Sequence, residues 1–211
     1  MQRASLYGTV HPENAQNLLL TLIAIAGNSP IKINEHHIQF SPISLSSTIQ
    51  QQQQLQLESS RINLCISNSQ TSLSIPTIPE SAKRQVQIQH IHKTSTQDPL
   101  DVLLQFIKAL DYVPEYAYLV KGQLFVLHGV IVTITQIAPL SSTDIAIKQD
   151  SPVFMDTLLV HAYVDILTTD EADLVQTATT MLETVKIDLA AVVELMIPDR
   201  AVQDPRVSLI R

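Results

Sequence analysis

Apolar side chains first gather between Leu18 and Ala26, where Thr21 is the single polar interruption. Pro12 suits the first turn of a helix and Gly27 a left-handed C-terminal cap, so the pattern predicts a helix over 12–26. A helix lying on one core would show a stripe, and this one is apolar nearly all round, which predicts cover on nearly every side. The cover comes either from the chain's own fold, in a barrel interior or a deep groove, or from a second protein lying on one face.

Strand patterns surround that helix. Ala4 to Val10 reads as a short strand rich in residues that favour extended backbone, and residues 31–40 alternate with Ile31, Ile33, His37 and Gln39 on one face. From Ser41 to about Ser60 the chain turns polar, with the run Gln50 to Gln54, and is expected to form a mobile surface loop at about 41–60. Arg61 to Ile66, Ser72 to Ile75 and Val86 to His92 read as further short strands, interrupted by Pro76 and Pro79.

Asp98 and Pro99 are expected to start a second helix, Asp98 as its cap, and Leu100, Leu103, Leu104, Ile107 and Leu110 then form one apolar face. Tyr116 to Val120, Leu124 to Leu127 and Val130 to Ile137 are separated by Lys121-Gly122 and His128-Gly129, which predicts a three-stranded antiparallel meander with two tight turns. A long two-faced strand around Leu158 to Ile166 puts His161 and Asp165 opposite Val160 and Ala162, as a strand between a core and a polar surface or lumen would. Thr168 and Glu171 fit a capping box for a third helix with the stripe Leu174, Ala178, Met181, Leu182 and Val185. Leu189 to Ile197 reads as a final apolar extended run.

Many antiparallel strands with few helices predict an α+β fold: a closed multi-stranded antiparallel β-barrel with about three helices packed on or in it. The strands are expected to close around an apolar interior, in one domain spanning 1–211.

Charge and composition then narrow the function. The chain is 45% hydrophobic and only 16% charged, so a partner is expected to cover part of its surface. A formal net charge of -7 argues against neutralising nucleic-acid phosphates, and direct DNA binding is not expected. The one cysteine, Cys65, allows no intramolecular disulfide and fits a reducing compartment. No apolar run approaches the length of a membrane-spanning helix, and the N-terminus shows no secretory signal pattern.

Candidate chemistry is sparse. His90 and His92 share a strand face but lack a third ligand, and adjacent His36 and His37 point to opposite faces. Roughly 13 Å separates His161 from Asp165 along a strand, too far for a catalytic pair. Cys65, between Leu64 and Ile66, is read as a small buried hydrophobe. No catalytic site, metal or cofactor is therefore expected. Pro198, Asp199 and Arg200, followed by Asp204 and Arg206, form a structural turn or a docking motif.

Three blocks resemble one family. Ser5 to Val10 with the apolar helix ending Ala26-Gly27-Asn28-Ser29-Pro30, then Ala109 to Gly129, then Val193 to Arg200 with Asp204, Arg206 and Val207 are similar to the fungal form of subunit eighteen of the Mediator head module. The resemblance implies a non-enzymatic, nuclear transcription coregulator. It implies a barrel that heterodimerises with Mediator subunit twenty and receives the C-terminal helix of subunit eight. Together these would form a movable jaw supporting pre-initiation complex assembly by RNA polymerase II, which is contacted, like the rest of the head, indirectly. For the subunit-eight helix, the apolar first helix is the expected dock, with Leu18, Thr21, Leu22 and Ile25 as candidate contacts.

That family's barrel is similar to the RNA triphosphatase tunnel fold, so the rival reading is a metal-dependent phosphohydrolase. Such chemistry needs Glu-x-Glu pairs on strands to hold a divalent ion, and none of the eight glutamates here stands two from another.

Overall fold

The computed structural model describes residues 1–43, 61–67, 70–80, 84–140, 153–167 and 172–199. Along the chain run β1 (Gln2–Val10), α1 (Pro12–Ala26), β2 (Ile31–Pro42), β3 (Ile62–Ser67), β4 (Thr71–Pro76) and β5 (Gln87–Thr96). After them come α2 (Leu100–Ala109), β6 (Tyr112–Leu127), β7 (Val130–Pro139), β8 (Leu158–Ile166) and α3 (Ala172–Leu189). The eight described strands close into an antiparallel barrel in the order β1-β5-β4-β3-β2-β6-β7-β8. Closure joins β1 to β8 from Gln2↔Ile166 to Val10↔Leu158, so the N-terminal strand seals the wall and leaves no free edge there.

The interior is not the apolar one that the alternation predicts. Ala4, Leu6 and Val10 of β1 and Val160, Ala162 and Ile166 of β8 pack with Leu18 and Leu22 of α1 and with Leu182, Val185 and Leu189 of α3. A smaller core joins Ile38, Phe40, Ile62, Leu64 and Ala117 to Leu103 and Ile107 of α2. These wall residues occupy one face of the sheet, and the helices cover it from outside.

On the opposite face the register aligns Arg3 with Asp165, Ser5 with Tyr163, Tyr7 with His161, and His37 with both Cys65 and Tyr118. The hydrogen bond with His37 does most to hold the Glu35 carboxyl of β2 below its usual pKa, with Lys93 of β5 adding a smaller pull, and burial raises that of Tyr163 on β8, with Glu35 adding to it. Both β5 and β8 stand three places from β2 in the strand order, so the fields of Lys93 and Glu35 cross the barrel interior. A barrel of eight strands is filled by its own side chains, and this one is filled largely with polar groups.

Several local expectations change. Lys121-Gly122 is no turn, because β6 runs unbroken for 16 residues. Gly122 is glycine for another reason: a Cβ there would run into the Ile134 carbonyl oxygen and the Thr135 Cα of β7. The hairpin lies only at His128 and Gly129, whose φ values of 50° and 83° are the consecutive positive angles of a tight turn. Asp98 does not cap α2, since Pro99 takes the cap position and Asp98 bonds with Thr96 instead. The run from Leu189 is helix end and turn, and only Met196 pairs like a strand, with Tyr7 of β1.

Gly27 does adopt the left-handed cap of α1, at φ 65°. The Thr168/Glu171 capping box and nearly all of the glutamine-rich segment lie outside the described residues.

Candidate functional site

Two features could carry function: the polar interior and the outward faces of the helices. Along the β1–β8 wall, Arg3 donates from Nε to Asp165 Oδ1 at 2.6 Å and from a terminal nitrogen to Oδ2 at 2.9 Å. The same guanidinium lies 4.1 Å from the centre of the Tyr163 ring. His161 is stacked between Tyr7, at 4.2 Å, and Tyr163, at 4.7 Å. Burial, aided by the Arg3 charge, pushes its pKa down to about 3, so the ring is neutral and its buried Nε2 has no partner. As expected, His161 and Asp165 serve different neighbours.

Across the interior, β2 places Glu35 and His37 on one face and β3 sets Cys65 directly beside His37. His37 Nε2 lies 2.9 Å from Glu35 Oε2, and its ring stacks on Tyr118 at 5.0 Å. Burial works to lower the His37 pKa, but hydrogen bonds with Cys65 and Glu35 outweigh it and raise the value to about 9. Cys65 is thus no buried hydrophobe: it is half-buried on the polar face, between Leu64 and a partly buried Ile66. Farther along this wall Arg61 bonds Glu115, and Tyr116 donates to Gln39. His36, on the outer face, is buried with its pKa lowered by burial, opposite in direction and environment to His37.

Three interior ion pairs are matched locally, Arg3 with Asp165, His37 with Glu35, and Arg61 with Glu115, while Lys93 acts on Glu35 from across the barrel. Phosphate-binding tunnels need the reverse, cations left over for the substrate and carboxylates left over for metal.

On the outside, α1 is covered less than its composition predicts. Leu18 and Leu22 are fully buried in the chain's own core, and Ile25 packs partly against it. Thr21 sits at the margin, its hydroxyl donating to the Asn17 carbonyl at 2.8 Å. Leu20, 58% exposed, and Ile23, 43% exposed, form the uncovered side. Of the four contact candidates the structure leaves Thr21 and Ile25 reachable and commits the two leucines to the core. The sequence reasoning missed Leu20 and Ile23, although their phase relative to Leu18 and Leu22 could have found them.

A second row stands on α2, where Val102, Phe106 and Leu110, spaced four apart, are each about half exposed. Pro198 and Ile197 line a small pocket with Glu80 and Arg84, Asp199 is exposed, and Arg200, Asp204 and Arg206 lie outside the described residues.

Comparison with known proteins completes the picture. A family model described as Med18 protein matches residues 2–206. "Mediator of RNA polymerase II transcription subunit 18" of Yarrowia lipolytica is 26% identical over 234 aligned residues, covering 98% of this chain and all of that protein. The same-named protein of Eremothecium gossypii is 31% identical over 64% of this chain and 54% of its own. Among solved structures, a chain of the Schizosaccharomyces pombe Mediator head module superposes with a TM-score of 0.75 at 19% identity, covering 94% of this chain and 99% of that one. A Pyrococcus horikoshii protein shares the fold at a TM-score of 0.56 and 13% identity, covering 92% of both chains.

Proposed function

We propose that this chain, which belongs to the Med18 protein family, is a non-enzymatic scaffold subunit of the Mediator head module, acting in the nucleus on transcription by RNA polymerase II. In this reading it heterodimerises with subunit twenty and holds the C-terminal helix of subunit eight. The pair then forms the movable jaw that supports pre-initiation complex assembly. The observation that carries the reading is the contrast between the two surfaces: local charge matching in the interior, and rows of exposed apolar side chains on α1 and α2.

An amphipathic helix needs an apolar track to settle on, and Leu20 with Ile23 provides one along the uncovered side of α1, with Thr21 and Ile25 on its flank toward the core. Thr21 is small enough to let a partner backbone approach closely. The remaining apolar row on α2, with Val113 also exposed beside it, offers a separate surface for a larger partner such as subunit twenty.

Mixing the purified chain with subunit twenty and with the C-terminal segment of subunit eight tests the reading. Co-elution with both is expected, and a chain that elutes alone from each mixture would refute it. Phosphate release from triphosphate-ended RNA in the presence of manganese tests the rival reading, and steady turnover would establish it in place of the scaffold.

A further inference from the structure

We propose that Glu35, His37 and Cys65 form a binding site for a borderline divalent transition-metal ion, zinc above all, in the barrel interior. This inference stands apart from the Mediator reading, and neither depends on the other.

The triangle is built by sheet register, not by a loop. Glu35 and His37 are two apart on β2 and share its inner face, and Cys65 is the cross-strand neighbour of His37 on β3. The carboxylate oxygen, imidazole nitrogen and thiol sulfur all lie within 4.8 Å of one another. Zinc bonds of roughly 2.0–2.3 Å place tetrahedral ligand atoms about 3.3–3.7 Å apart, so side-chain rotation with little backbone movement brings the three onto one ion. A hairpin partner thus supplies the third ligand that a His-x-His pair on a single strand lacks.

The donor set selects the ion. Thiolate and imidazole favour zinc and its neighbours over magnesium or calcium, which prefer oxygen alone. One thiolate and one carboxylate balance the charge of the ion, and the thiol proton, with any proton held on the imidazole, passes to solvent. Three protein ligands leave the fourth position to water.

A second observation points the same way. Asn63, two before Cys65 on β3, has its side-chain oxygen buried with no partner while its nitrogen lies 3.4 Å from His37 Nδ1. The roles here depend on the tautomer: with the proton on His37 Nδ1, both nitrogens are donors and gain little from each other. Turned about, the amide oxygen accepts a proton from Nδ1, which satisfies the orphaned atom and leaves Nε2, the nitrogen beside Glu35, free for the metal. Tyr118, stacked on the ring within 9° of parallel, holds its plane. An ion can reach the site, because the Glu35 side chain is 33% exposed, and Glu35 pairs with the last residue of β3.

The experiment uses the full, untagged, reduced chain, stripped with chelator, loaded with Zn²⁺ and gel-filtered before metal analysis. One zinc per chain is expected. Co²⁺ in its place should give a thiolate-to-cobalt charge-transfer band, and Zn²⁺ should slow alkylation of Cys65 at least tenfold. Cys65→Ser should abolish the band and the retained metal, Asn63→Leu should weaken affinity about 10–100-fold, and His92→Gln should change neither. Alkylation protection in the unaltered chain keeps the test valid even if a variant fails to fold. A chain that retains no zinc, a cobalt spectrum without the thiolate band, or equal alkylation with and without zinc would overturn the proposal.

Discussion

The two faces of one barrel wall solve opposite problems with the same strands. On the outer face Leu6, Val160 and Ala162 disappear beneath α1 and α3, and non-directional burial stabilises whatever is apolar and of the right volume. On the inner face Tyr7, His161 and Tyr163 stand next to those residues in sequence, with Arg3 and Asp165 farther along the same two strands, and each needs a specific neighbour. The difference teaches that this fold carries its hydrophobic core between helices and sheet, which leaves the inside of the barrel to polar pairing.

If that contrast holds, substitution on the outer face is the most damaging. Leu182→Ala, at a fully buried position between α3 and the wall, should lower unfolding free energy by about 2–5 kcal/mol in denaturant titration. A cost near zero would mean that α3 is not packed as described.

Next in size is an acid effect that belongs to the inner face alone. An unfolded histidine takes up a proton below about pH 6.5, whereas folded His161 resists it down to about 3. Between those values the unfolded chain binds more protons, so stability falls as pH falls, by about 1.4 kcal/mol per pH unit. His161→Phe, which keeps a ring between Tyr7 and Tyr163, should flatten that part of the pH–stability curve, and an unchanged slope would assign it elsewhere.

Smaller again is Asp165→Asn, which removes the charge partner of Arg3. Both side chains are partly open to solvent, which limits the expected loss to about 1–2 kcal/mol, screened further by salt. The smallest effect on stability should come from Thr21→Ile on the margin of α1, within about 0.5 kcal/mol by thermal melting. Its effect on capture of the subunit-eight helix should be larger, and equal loss of both would make Thr21 a packing residue only.

Much of this was legible residue by residue. The first helix with its Gly27 cap, the two-faced β8, the separate roles of His161 and Asp165 and the opposed faces of His36 and His37 follow from periods of 3.6 and 2, which are local properties of the backbone. Gly122 misled because a glycine needed for close strand packing and a glycine needed for a turn look alike in sequence.

What the chain determined by itself was which positions share a face and where most elements lie, because propensity and alternation act over a few residues. Only the tertiary structure decided which face is inside. Alternation has no sign: helices laid on the apolar side turn the polar side inward, and the same pattern without them would turn it out. For the same reason only strand register could bring Cys65 to His37 and Arg3 to Asp165, pairs separated by tens of residues or more and joined by hydrogen-bond ladders that no local preference records.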